Sequence, residues 1–102
     1  MENYNLFFLH SQNKYVSLVV FSSYVASIEF WAEQNSDDLT FTNQYRLLWG
    51  KLEIINAKAL YEREIMGSHQ FFYGKIWEKK YMERAKIAID NLVSFVSQNR
   101  YL

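Results

Sequence analysis

The chain has 102 residues, no Cys and no Pro, and half of its residues are apolar, which fits a single domain with its own core. Eleven basic and eleven acidic side chains give a formal net charge of zero, which excludes a general polyanion binder held by bulk charge. The lack of Cys excludes a disulfide scaffold, a thiolate metal site and a Cys nucleophile, and it fits a cytoplasmic protein.

The charges are unevenly distributed along the chain. Residues 1–45 contain five acids and one base, whereas residues 46–102 contain ten bases and six acids, so the two parts carry net charges of −4 and +4. Such parts either attract each other within one fold or form separate faces for partners. The N-terminus lacks a basic region, and the longest uncharged segment, residues 15–28, is shorter than the roughly 20 residues of a membrane span. We therefore expect neither a signal peptide nor a membrane anchor.

The first predicted helix covers residues 15–34. Apolar residues recur there at steps of three and four, which places them on one helix face: Leu18, Phe21, Val25, Ile28 and Ala32. Residues 5–10 extend this helix or form a short one of their own. The alternative is a β-hairpin of residues 5–10 and 15–21, since both segments are rich in aromatic and β-branched residues.

The second predicted helix covers residues 41–66. The polar run 35–38 separates it from the first helix, and Thr40 or Thr42 offers a hydroxyl N-cap. Its apolar stripe is interrupted by Glu62 alone and contains Phe41, Tyr45, Leu48, Leu52, Ile55, Ala59 and Met66. Gly67 and Ser68 suit a tight turn at its end.

The third predicted helix covers residues 69–98, with Gly74 marking a kink or a late start. Its stripe contains Met82, Ala85, Ile89, Leu92 and Val96. Three long helices with short links predict a single all-α domain over residues 1–102. Its expected architecture is an elongated antiparallel bundle, and a short fourth helix at the N-terminus is the alternative to a longer first helix.

The second predicted helix also carries apolar residues away from its core stripe. When the core stripe is assigned to heptad positions a and d, Leu47, Ile54 and Tyr61 occupy three successive c positions. Lys51 and Lys58 lie between them. An ordinary surface helix is polar at such positions, so either the helix is central and packed on two sides, or these residues form an interface with a partner or a second copy.

Aromatic and basic residues alternate near the start of the third predicted helix. We call this set the aromatic–basic cluster: Phe71, Phe72, Tyr73, Lys75, Trp77, Lys79, Lys80, Tyr81 and Arg84. Such a pattern suits packing at a helix end, docking on an acidic protein or stacking on unpaired nucleic-acid bases. The nucleic-acid alternative is the weakest of the three, because no recognised nucleic-acid motif accompanies the cluster.

His10 and His69 are the two histidines of the chain. No Glu-x-x-His or His-x-x-x-His motif includes them, so we expect no metal site and no cofactor. Arg63 and His69 have five residues between them, which resembles the Arg-x(4–6)-His motif of the HEPN family of all-α ribonucleases. The resemblance implies that Arg63 steadies phosphate charge and that His69 assists proton transfer, without a metal, at an RNA 2′-hydroxyl.

The sequence thus favours a small cytoplasmic binding protein without enzymatic activity. It would act by stoichiometric association with a protein partner that has an acidic surface, as immunity proteins, antitoxins and phage-encoded inhibitors do. The aromatic–basic cluster would supply the anchors and the steering charges. The alternatives are a HEPN-like ribonuclease and a structural homodimer.

Overall fold

A computed structural model describes residues 12–66 and 73–99 of the chain. These residues form helices and turns and contain no strand, which confirms the all-α prediction for this part. The helices are α1 (Leu18–Ser27), α2 (Trp31–Asn35), α3 (Leu39–Met66), α4 (Tyr73–Lys80) and α5 (Met82–Gln98). The predictions for residues 5–10 and for the turn at Gly67 and Ser68 lie outside the described residues.

The first predicted helix is divided into two. A turn at residues 28–30 separates α1 from α2. The carbonyl oxygen of Ile28 accepts a hydrogen bond from the hydroxyl of Tyr45 (2.7 Å) and one from the backbone N–H of Trp31 (3.2 Å). In a continuous helix, the Ile28 carbonyl would accept a hydrogen bond from the amide four residues later. Here the Tyr45 hydroxyl and the Trp31 amide are its partners instead. The β-hairpin alternative is wrong where it can be checked, since Leu18 to Phe21 are helical.

The longest helix, α3, begins at a different cap from the predicted one. The carboxylate of Asp38 accepts hydrogen bonds from the backbone N–H groups of Thr40 (2.9 Å) and Phe41 (3.2 Å). Asp38 is therefore the N-cap, because its oxygen satisfies amides that have no partner within the helix. The predictions of Thr40 and Thr42 as caps were wrong.

The third predicted helix is interrupted at Tyr81, which separates α4 from α5. The backbone N–H of Tyr81 still donates to the carbonyl of Trp77 (2.9 Å), and the N–H of Ala85 donates to the carbonyl of Tyr81 (2.8 Å). The i→i−4 hydrogen bonds therefore continue on both sides of the interruption.

Helix α3 is the element on which the others assemble. It packs against α5, α1 and α2, while α4 packs against α5. The rings of Phe41 near the start of α3 and Phe95 near the end of α5 stack with their centroids 5.2 Å apart. The molecule measures 45 × 22 × 18 Å, and its core runs the length of α3 as one continuous apolar cluster.

Candidate functional site

One face of α3 carries large apolar side chains that none of the other described helices covers. We call it the α3 apolar stripe: Leu47 (65% exposed), Ile54 (56%), Tyr61 (67%) and Ile65 (66%). The sequence predicted the first three as unusual. The interpretation of α3 as a central helix does not account for them, because α1 and α5 pack on α3 and still leave these side chains in solvent. Sequence reasoning missed Ile65, although its spacing of eighteen residues, or five turns, from Leu47 places it on the same face.

The stripe lies opposite the buried side of the same helix. Leu52 and Ala59 are fully buried there, so α3 has one apolar face for the core and a second one in solvent. A single exposed apolar residue is ordinary on a protein surface, whereas an aligned set of four on one helix is a candidate interaction site.

Two lysines interrupt the stripe. Lys51 and Lys58 are exposed, and neither forms an ion pair with another described residue. The residues three and four positions from Lys51 are all apolar, so its methylene stem has apolar neighbours on the helix surface while its ammonium group is solvated. Lysines at such positions keep an apolar face soluble and add charge to it.

An open groove of about 450 Å³ runs beside the C-terminal half of the stripe. Tyr61, Ile65 and Met66 line it from α3 together with Lys58 and Glu62, and Tyr81 lines it from the break between α4 and α5. An apolar side chain of a partner would find partly buried surroundings here rather than a flat surface.

The aromatic–basic cluster is divided between core and surface. Tyr73, Trp77 and Tyr81 are buried. The Trp77 ring packs 5.4 Å from Phe21 and 5.8 Å from Tyr81, measured between centroids, and its Nε1 donates to the carbonyl of Tyr15 (2.8 Å). These three rings therefore serve the core, which corrects the expectation that they anchor a partner from the surface.

The remaining members of the cluster are basic or lie outside the described residues. Lys75, Lys79, Lys80 and Arg84 are exposed. Phe71 and Phe72 lie in the part of the chain that the structure does not describe. The partner-binding role of the cluster as a whole stays a prediction.

Glu62 links α3 to α4. Its carboxylate accepts hydrogen bonds from the Tyr73 hydroxyl (3.2 Å) and from the Lys80 ammonium group, with which it also forms an ion pair. The hydrogen bond from Lys80 lowers the pKa of Glu62, with the charge of Lys80 and the bond from Tyr73 adding to the effect. Burial raises the pKa of Tyr73, as does the nearby Glu62, so this phenol remains a donor.

This network predicts a loss of stability in acid. A carboxyl group with a lowered folded-state pKa stabilises the fold above its unfolded pKa of about 4.3, and that contribution is lost as pH falls through the folded pKa. We expect Glu62→Gln to melt below wild type at about pH 7 and the two melting temperatures to converge near pH 2. Thermal melts by circular dichroism measure this difference.

The matched control is Glu64→Gln. Glu64 is exposed and forms no ion pair with another described residue, so this variant should melt like wild type across the range. A deficit of Glu62→Gln that persists unchanged at about pH 2 would contradict the role of the charge.

The Arg63–His69 pair is only half described. Arg63 is half-buried and lines a cavity of about 190 Å³ with Val16, Gly74 and Trp77 among its neighbours. His69 lies outside the described residues, so the ribonuclease alternative stays an untested prediction. Within residues 12–66 and 73–99, no three acidic or His side chains gather as a metal site would require. No helix described in these ranges has both the length and the apolar character to cross a membrane.

Comparisons with known proteins give no further guide to the site: no protein-family model matches this chain, and neither a curated protein nor a solved structure shows significant similarity to it.

Proposed function

We propose that this protein acts by stoichiometric association with another protein, through the α3 apolar stripe. The observation that carries the proposal is the alignment of Leu47, Ile54, Tyr61 and Ile65, all more than half exposed, on one face of one helix. Removing this apolar surface from water would contribute favourably to association. In this proposal the residues of the stripe anchor the partner, and the buried Tyr73, Trp77 and Tyr81 do not.

The arrangement of the helices supports this use of α3. Phe41 and Phe95 pair the start of α3 with the end of α5, and Leu18 and Arg63 share a groove between the start of α1 and the end of α3. We propose on these contacts that α1, α3 and α5 run antiparallel. Such a bundle holds the 28 residues of α3 as one extended element, which presents the stripe along its length.

The class that we propose is that of immunity proteins, antitoxins and phage-encoded inhibitors, with action in the cytoplasm. Proteins of these types work by occupying a surface of their partner rather than by turnover. A small domain with an exposed apolar helix face is suited to that task.

The test is the substitution Ile54→Asp. We expect it to weaken binding of the native partner at least a hundredfold, because a carboxylate in the middle of the stripe would have to be desolvated in the complex. The purified full chain serves as bait in an extract of its host. The captured protein is then purified, and its affinity and stoichiometry are measured by titration calorimetry.

Ile87→Asp is the matched control. Ile87 is 51% exposed and lies on α5, so it receives the same chemical change outside the stripe. Both variants should melt within a few degrees of wild type, since both positions face solvent. Equal binding by Ile54→Asp and wild type would refute the proposal.

A second copy is the alternative partner that the stripe itself suggests, because two identical apolar faces can cover each other. Light scattering separates the two cases. A dimeric wild type that becomes monomeric on Ile54→Asp would identify the homodimer, whereas a monomeric wild type leaves the stripe for a different protein.

A further inference from the structure

The shape and the charges of the α3 apolar stripe indicate what kind of partner fits it. We infer that its partner is an amphipathic helix whose apolar face is bordered by carboxylates. This inference rests on the proposed function and names the chemistry of the partner.

The stripe has the dimensions of a helix-binding face. Its four side chains lie within about 40° of one another around the α3 axis. From Leu47 to Ile65 they extend over about 27 Å, or five turns. A seven-residue repeat of apolar residues is the pattern along which two helices pack at a small crossing angle. A partner helix of about 18 residues would cover the stripe from end to end.

The lysines give one edge of the stripe a positive charge. Lys51 and Lys58 lie on the same edge, one seven-residue repeat apart. Glu62 is the only acidic residue three or four positions from either lysine, and its carboxylate is bound by Lys80 and Tyr73. The two ammonium groups are therefore available to carboxylates of a partner, and a basic helix would be repelled at this edge.

The opposite edge of the stripe is uncharged for most of its length. Asn43, Gly50 and Ala57 follow it at the same seven-residue spacing, and the next position is the acidic Glu64 near the C-terminal end of α3. A Cβ placed on Gly50 would have no atom within 4 Å, so the surface beside it is open. A partner backbone could approach α3 closely on this edge while its acidic side chains reach the lysines on the other.

The same edges disfavour a second copy as the occupant. In an antiparallel pair of α3 helices, equivalent edges face each other, and Lys51 and Lys58 would oppose the same lysines of the second copy. In a parallel pair they would face the other edge, with Gly50, Ala57 and Glu64. The parallel pair thus offers the lysines a single carboxylate near one end, whereas an acidic helix offers carboxylates along its whole length.

The groove beside Tyr61 gives the partner helix an anchor point. Its lining includes Lys58, Ile65 and Tyr81, together with Glu62, whose charge is already paired with Lys80. A large apolar side chain of the partner would enter this groove, and an acidic residue one turn away would reach Lys58. The strongest local contact of the complex is thus expected near the C-terminal end of α3.

The experiment uses two synthetic 18-residue peptides as probes. Both carry Leu at the same helical-stripe positions, but one has Glu and the other has Lys at the flanking positions. Fluorescence anisotropy measures their binding to the full chain. We expect wild type to bind the Glu peptide at least tenfold more tightly than the Lys peptide. The double substitution Lys51→Glu/Lys58→Glu should reverse this preference.

The matched control is Lys14→Glu/Lys86→Glu, which changes the net charge equally at two lysines outside both the stripe and the aromatic–basic cluster, one before α1 and one on α5. It should keep the wild-type preference, and Ile54→Asp should bind neither peptide. If wild type binds both peptides equally, or prefers the Lys peptide, and Ile54→Asp abolishes binding, the inference fails while the proposed function stands. If neither peptide binds, or binding ignores Ile54→Asp, the inference fails, and the proposed function is then decided by the titration of Ile54→Asp against the native partner. A dimeric wild type that Ile54→Asp dissociates would show that a second copy is the occupant and would overturn both the inference and the proposal of a different protein as the partner.

Discussion

Trp77→Ala should lower the free energy of unfolding by about 3–5 kcal/mol, the range for removal of a large buried aromatic side chain. The Trp77 side chain is 1% exposed, packs between Phe21 and Tyr81 and donates its indole N–H to the carbonyl of Tyr15. It therefore joins α4 to α1 and to the turn before α1. Because a small domain is stable by only about 5–15 kcal/mol, the variant should be partly unfolded at 37 °C. Urea denaturation followed by circular dichroism measures the loss.

Two further variants separate packing from surface effects at Trp77. Trp77→Phe should recover most of the stability, because it keeps an aromatic ring and loses chiefly the hydrogen bond to Tyr15. Tyr61→Ala removes an aromatic ring that is mostly exposed and should change stability by less than about 0.5 kcal/mol. If Trp77→Ala unfolded at the same urea concentration as wild type, the ring would be free for a partner, as the sequence suggested.

Periodicity was sufficient to predict the helical class and most of the core face of α3. Phe41, Tyr45, Leu52 and Ala59 are buried as their spacing required. The heptad pattern also identified Leu47, Ile54 and Tyr61 as apolar residues turned away from that face. These predictions succeed because a helix repeats every 3.6 residues regardless of its neighbours.

The turn between α1 and α2 could not be predicted in this way. It depends on the hydroxyl of Tyr45, which lies seventeen residues after Ile28 in the sequence and reaches its carbonyl only in the folded state. No Gly or Pro marks residues 28–30. A local pattern cannot report a hydrogen bond that the tertiary structure supplies.

The burial of the cluster aromatics could have been found from their spacing. Tyr73, Trp77 and Tyr81 follow one another at steps of four and continue into the core stripe at Ala85. The prediction of a binding surface relied instead on the density of aromatic and basic residues in this segment, which also contains Phe71, Phe72 and several lysines. Four-residue spacing on a helix is a better indication of burial than the density of aromatic residues.

Tyr45→Ala should be the second most damaging substitution, with a loss of about 3–5 kcal/mol. Tyr45 is fully buried, and its ring lies 5.7 Å from Trp31 and 6.3 Å from Phe41 between centroids. Burial raises the pKa of this phenol, and Tyr24 and Glu33 raise it further, so the hydroxyl stays protonated and donates to Ile28 at ordinary pH. Urea denaturation again measures the effect.

Tyr45→Phe separates the hydrogen bond from the ring. It should cost about 1–2 kcal/mol, because the carbonyl of Ile28 loses a buried donor while the aromatic contacts remain. It should not change partner affinity, since Tyr45 lies on the side of α3 opposite the apolar stripe. Ile54→Asp should show the reverse pattern, with affinity lost and stability kept. If Tyr45→Phe stayed folded and weakened binding as much as Ile54→Asp, the binding surface would have to include the α1–α2 turn. Opposite effects of the two variants would show that α3 uses one face to hold the fold and the other to bind.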